Sequence, residues 1–105
     1  MRDLRKGSSA LLLLHLLRAR PMYGFELVEQ LQASTGGALD FKEGTLYPAL
    51  HRLEEEGLVE SFWQASQSGP RRRYYRLTQT GLDALAERRA QWIRLMEAVN
   101  GALGI

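Results

Sequence analysis

The chain has 105 residues, a size that builds one domain with a modest core. Hydrophobic residues make up 45% of it in periodic runs, which argues against disorder. There is no cysteine, so no disulfide framework or thiolate metal site exists, and a reducing cytoplasm is the expected location.

The net charge is only +2, and bulk charge does not single out nucleic acid. The distribution says more. Residues 1–20 hold five basic groups and one acid, residues 69–76 hold four arginines and no acid, and residues 54–60 hold four glutamates. Separated positive and negative surfaces fit a protein with one phosphate-facing side, although each patch alone also reads as solvated charge.

A first helix is expected over about 4–19. Its run Ala10–Leu17 is eight residues long, contains His15 and is followed by Arg18 and Arg20. A membrane span needs roughly 20 apolar residues, and the sequence after the run is a poor cleavage site for a signal peptide. The run reads as a buried helix, with no membrane partner. Pro21 stops it. A second helix covers Tyr23 to Ala33 with Phe25, Leu27, Val28 and Leu31 inward, and Ser34–Gly37 is a break. A third begins near Gly44, carries Leu46, Leu50 and Leu53 on one stripe, and ends at Gly57, which can take the left-handed conformation. Pro48 is expected in its first turn, where a missing N–H costs nothing. Thr45, Pro48, His51 and Arg52 lie opposite the leucines.

Leu58–Gln64 and Arg71–Leu77 are β-prone runs flanking Ala65–Pro70, the pattern of an antiparallel hairpin. Alternation puts Tyr75 and Leu77 on one face and Arg72, Tyr74 and Arg76 on the other. Thr78 is a plausible N-cap for a last helix to about Val99. There Leu82, Leu85, Trp92, Met96, Val99 and Leu103, with Arg89 in the gap, follow alternating steps of three and four, a heptad seam. The same pattern also fits a helix packed on its own domain.

Three helices, a hairpin and a further helix spell a mainly α winged helix-turn-helix. The local motifs resemble the PadR family of transcriptional regulators: Pro21-Met-Tyr-Gly-Phe-Glu-Leu27, Gly44-Thr-Leu-Tyr-Pro-Ala-Leu-His-Arg-Leu-Glu54 with Gly57-Leu58, and Gly69-Pro-Arg-Arg-Arg-Tyr-Tyr-Arg-Leu-Thr78 with Gly81. Each motif alone is weak, but all three in this order are specific. The single short last helix resembles the small-size subfamily. The resemblance implies a DNA-binding domain over 1–78, a dimerisation helix over 79–105, and a homodimer that represses transcription from a roughly palindromic double-stranded operator. Many members release DNA when a small molecule binds.

Each candidate residue has a functional and a structural reading. In a helix-turn-helix the second helix of the motif presents its N-terminal residues to base edges, which assigns Gly44, Thr45, Pro48, His51 and Arg52 to DNA. The alternative is a solvated helix face. Tyr23 and Tyr47 can donate to phosphate oxygens or pack as partly buried aromatics. Gly24 allows a close approach, either of DNA or of a neighbouring helix. Arg71, Arg72 and Arg73 read as wing contacts to phosphate, and Lys42 and Lys6 as weaker candidates. Two wings with two contacts each imply a log–log salt slope of roughly −4.

In multidrug-binding members of the family, a tryptophan at the position matching Trp92 lines a pore between subunits and stacks on flat aromatic ligands. Trp92 follows Gly81 by 11 residues, which matches that placement. Arg89 and Met96, one turn to either side, join it as effector candidates. The structural alternative is that Trp92 simply anchors the dimer core. Trp63 reads as packing, and Glu54-Glu55 as a solvated run. His15 and His51 make no metal-ligand spacing. No cofactor loop or catalytic constellation is present, so an enzyme is not expected. The rival reading is a winged-helix module that docks a protein through its aromatic hairpin and does not bind DNA.

Overall fold

The computed structural model describes residues 4–38 and 42–105. The elements run α1 (Leu4–Leu17), β1 (Met22–Tyr23), α2 (Gly24–Ser34), α3 (Glu43–Glu55), β2 (Val59–Ser66), β3 (Gly69–Leu77) and α4 (Gln79–Leu103). This is the expected winged helix-turn-helix with an appended helix.

Leucines carry the core. Leu13 and Leu14 of α1, Leu27 and Leu31 of α2, and Leu46 and Leu50 of α3 are fully buried, with Leu53, Leu58, Val59 and Leu85 closing around them. Each such side chain contributes about 1.5–3 kcal/mol by leaving water. The stripe Leu46–Leu50–Leu53 fixes which side of α3 faces inward. Its outer side is therefore set by the same spacing.

The end of α3 follows the Schellman pattern. Gly57 has φ 76°, the Gly57 N–H donates to the Glu54 carbonyl, and the Leu58 N–H donates to the Leu53 carbonyl at 2.9 Å. The unpaired carbonyls are satisfied and the chain turns at once into β2.

The sheet order is β1-β3-β2, antiparallel throughout. β1 was not anticipated, because two residues are too short for an alternation signal. Its pairs Met22–Tyr75 and Tyr23–Tyr74 tie the start of α2 to the hairpin. The hairpin is tighter than expected: Ser66 pairs with Gly69, leaving Gln67 and Ser68 as the turn, and the register shift between Gln64 and Ser66 sets Pro70 and Arg71 opposite Ala65 alone, a bulge in β3.

Three expectations need correction. Phe25 is 51% exposed rather than inward; Leu27 and Leu31 alone supply the fully buried side of α2. Pro48 is the sixth residue of α3, past the first turn. Its missing N–H deprives the Gly44 carbonyl, but both residues are exposed, so water can take that acceptor. Leu85 is only 5% exposed and belongs to this domain's own core rather than to a free seam. In addition, α4 continues past Val99 to Leu103, ending at Gly104 with φ 79°.

Candidate nucleic-acid interface

The outer face of α3 is built as the leucine stripe dictates. Gly44, Thr45, Pro48, His51 and Arg52 are exposed along it, and Lys42 is the exposed N-cap residue. Thr45, Pro48 and Arg52 also line a recess of about 570 Å³ between α3, α1 and α4. The acidic end of the helix is less free than a solvated run. Glu54 is engaged by Arg73 of β3, Glu55 pairs with His51 at 3.6 Å within α3, and Glu56 pairs with Arg88 of α4 at 3.2 Å. Glu54 and Glu56 thus have arginine partners on other elements, which compensates negative charge at this end of the helix.

Tyr23 is the N-cap residue of α2 in an extended conformation. The Glu26 carboxylate accepts a bond from its N–H at 3.3 Å and pairs with Arg20 at 2.9 Å. Gly24 is buried. A Cβ there would lie 2.3 Å from the Tyr47 hydroxyl oxygen, so of the two close approaches expected of it the structure shows the one to the neighbouring helix. Tyr47 itself remains 44% exposed.

The three wing arginines do not form one patch. Strand alternation places Arg71 and Arg73 on the α3 side with Tyr75, and Arg72 on the opposite face with Tyr74 and Arg76. The Arg72 guanidinium stacks over Tyr23 with its Cζ 4.5 Å from the ring centroid, joining the wing to the start of α2. Arg71 lies 5.8 Å from the Trp63 ring. Trp63 is 58% exposed, so the packing role expected for it is corrected: its ring is flanked by the Arg71 and Arg73 guanidinium groups rather than buried in the core. Arg76 is neutralised by Glu60 at 2.6 Å. Among the described residues, Arg52, Arg71 and Arg72 have no carboxylate partner. Tyr75 is buried at the base of this face; burial raises its phenol pKa, Arg73 works against that shift, and Glu54 adds to it.

A helix with a free polar face, braced against a basic wing, is matched by the Transcriptional regulator PadR-like family over residues 13–87. The chain belongs to the PadR-like family. It is 36% identical over 101 residues to Transcriptional regulator Rv3488 of Mycobacterium tuberculosis, covering 96% of this chain and 91% of that protein. The crystal structure of a PadR family transcriptional regulator from Eggerthella lenta is 42% identical, with a TM-score of 0.83, covering 96% of this chain and 86% of that one. A transcriptional regulator from Clostridium thermocellum superimposes with a TM-score of 0.87 at 29% identity, covering 96% and 95%. The chain is thus a DNA-binding transcriptional regulator and not an enzyme, and the protein-docking rival is set aside. No helix among the described residues is long and apolar enough to cross a membrane, and none of them forms a metal-ligating group.

On the PadR-like α4, Trp92 and Met96 are half-buried and Arg89 is exposed. The residues that sequence reasoning missed are those acting across elements: Ser61 and Glu54 with Arg73, and Glu56 with Arg88. Their separations are too long for any local pattern to mark them.

Proposed function

We propose that two copies of the chain pair through α4 to make a cytoplasmic repressor, that the two α3 helices read a palindromic operator, and that a small flat aromatic effector releases it. The observation that carries this reading is the apolar side of α4. Leu82, Ile93, Leu95, Val99 and Leu103 are 42%, 42%, 50%, 40% and 67% exposed. A 25-residue helix is about 37 Å long, and only its first turns, at Gly81 and Leu85, are buried against the body. Leu82, Val99 and Leu103 belong to the heptad seam with Trp92 and Met96, and Ile93 and Leu95 flank it on either side; an exposed apolar surface of that extent marks an interface, and the spacing of the seam fits the same helix from a second copy.

Pairing of this kind supports placing two α3 helices about 34 Å apart, the repeat of successive major grooves on one side of B-DNA. Lys42, Gly44, Thr45, Tyr47, Pro48, His51 and Arg52 are the proposed helix contacts, with Tyr23, Arg71 and Arg72 on the backbone. Trp92 of both copies, flanked by Arg89 and Met96, would then line one central cleft. An effector wedged there acts only by preferring one dimer geometry over another.

Sedimentation at micromolar concentration should give twice the 11.9 kDa chain mass. A duplex selected from a random pool should bind at 50 mM salt. Trp92→Ala should reduce quenching by a planar aromatic dye while operator binding persists. A monomer with no complex on any duplex sinks the reading; unchanged quenching moves the effector elsewhere.

A further inference from the structure

We propose that Glu54, Ser61 and Arg73 form a strut that sets the wing's position on the recognition helix, so that Arg73 serves DNA binding as a positioning residue and not as a phosphate ligand. The proposal rests on α3 and the wing being the DNA-reading parts.

The three residues come from three elements. Glu54 lies in the last turn of α3, Ser61 near the start of β2, and Arg73 in the middle of β3. The Ser61 hydroxyl donates to Glu54 Oε2. Arg73 Nη2 donates to Ser61 Oγ at 2.7 Å and faces the two Glu54 oxygens at 3.4 and 3.5 Å. Ser61 pairs with Tyr75 across the hairpin and Trp63 with Arg73, so Arg73 reaches diagonally back toward the helix. The Glu54 and Arg73 side chains are 28% and 47% exposed, far less open than the 74% and 72% of the His51–Glu55 pair.

Position along the hairpin gives the trio its leverage. Tyr75 is the last buried residue of β3, and every residue from Gly69 to Arg73 is exposed. The strut is therefore the outermost attachment of the wing to α3. On the opposite face Arg72 over Tyr23 braces the same strand against α2. Charge also favours a holding role. Arg73 is compensated by Glu54, and swinging it to a phosphate would leave a partly buried carboxylate unpaired beside DNA. An ion pair internal to the protein releases no counterion on binding, whereas Arg71 and Arg72 have no such partner.

The experiment compares Glu54→Gln, Ser61→Ala and Arg73→Ala with Arg71→Ala, using the duplex selected by the wild-type protein across a salt series, and follows hydrogen exchange of the wing amides in the free proteins. A strut predicts that all three trio variants weaken binding about five-fold and speed wing exchange, that the double variant of Glu54→Gln with Arg73→Ala is no worse than either single, and that Arg73→Ala leaves the salt slope intact while Arg71→Ala flattens it by about 0.9. Glu54→Gln decides the sign: removing a negative charge near phosphate should tighten binding on electrostatics alone and weaken it if the strut matters. Arg73→Ala flattening the slope like Arg71→Ala, with Glu54→Gln binding tighter and wing exchange unchanged, overturns the proposal. If the wild-type protein binds no duplex, the DNA reading itself fails, while the exchange rates still decide whether the strut holds the wing.

Discussion

The ring of Tyr47 lies so close over Gly24 that a Cβ at residue 24 would stand 2.3 Å from its hydroxyl oxygen and 2.7 Å from its Cζ. This contact sets how near the N-terminal part of α3 comes to the first turn of α2.

Gly24→Ala should therefore push Tyr47 away and cost about 1–3 kcal/mol in urea unfolding. The cost should largely vanish in a Tyr47→Ala background, because the two changes share one contact. Equal losses in both backgrounds would mean that the glycine matters for another reason.

Gly81 offers a harder limit. An added Cβ would meet the Leu58 carbonyl oxygen at 2.0 Å, and backbone cannot rotate aside as a side chain can. Around it Thr78 caps α4, accepting from the Gly81 N–H at 3.0 Å and donating to the Gly57 carbonyl at 2.7 Å. Gly81→Ala should lower stability by about 3 kcal/mol or more, seen as a large drop in Tm. A Tm within a degree or two of the wild type would show that α4 can slide on the α3–β2 junction.

The unpaired wing cations make a separable claim. Arg71→Ala and Arg72→Ala should each weaken binding to every duplex alike and reduce the salt slope by about 0.9. Arg72→Ala should also loosen Tyr23, which loses a stacked partner worth about 0.5–1 kcal/mol at an exposed site. Loss of discrimination between operators, rather than of overall affinity, would assign base reading to the wing.

The Tyr75 phenol carries a pH signature. Burial raises its pKa above the ordinary value of 10.0, so the folded state holds its proton after the unfolded chain has released it. The contribution is complete below about pH 10 and is lost as pH rises through the higher folded value. Wild-type stability should fall more steeply than that of Tyr75→Phe as pH rises above about 10. Parallel curves in chemical denaturation would refute the assignment.

Much of the interface was legible because it depends on short-range spacing. Leu46, Leu50 and Leu53 point one way, so Thr45, Pro48, His51 and Arg52 point the other, whatever the helix packs on. Gly57 and Thr78 announced both ends of the hairpin through their own backbone and side-chain chemistry. Phe25 and Pro48 were harder. An apolar residue in an amphipathic helix is not thereby inward when its flank faces solvent, and a proline deep in a helix is tolerated where its orphaned carbonyl meets water.

Arg71, Arg72 and Arg73 mark the boundary between the two kinds of knowledge. Local sequence determined that three cations sit in a strand beside a turn, that their faces alternate, and that a winged helix of the PadR type surrounds them. Only the tertiary structure decided that Arg72 stacks on Tyr23, that Arg73 is bound to Glu54 nineteen residues away, and that Gly24 faces Tyr47 rather than the exterior. Periodicity follows from bond geometry within a few residues. The partner of a long side chain depends on which distant segment the burial of the leucine core brings alongside it.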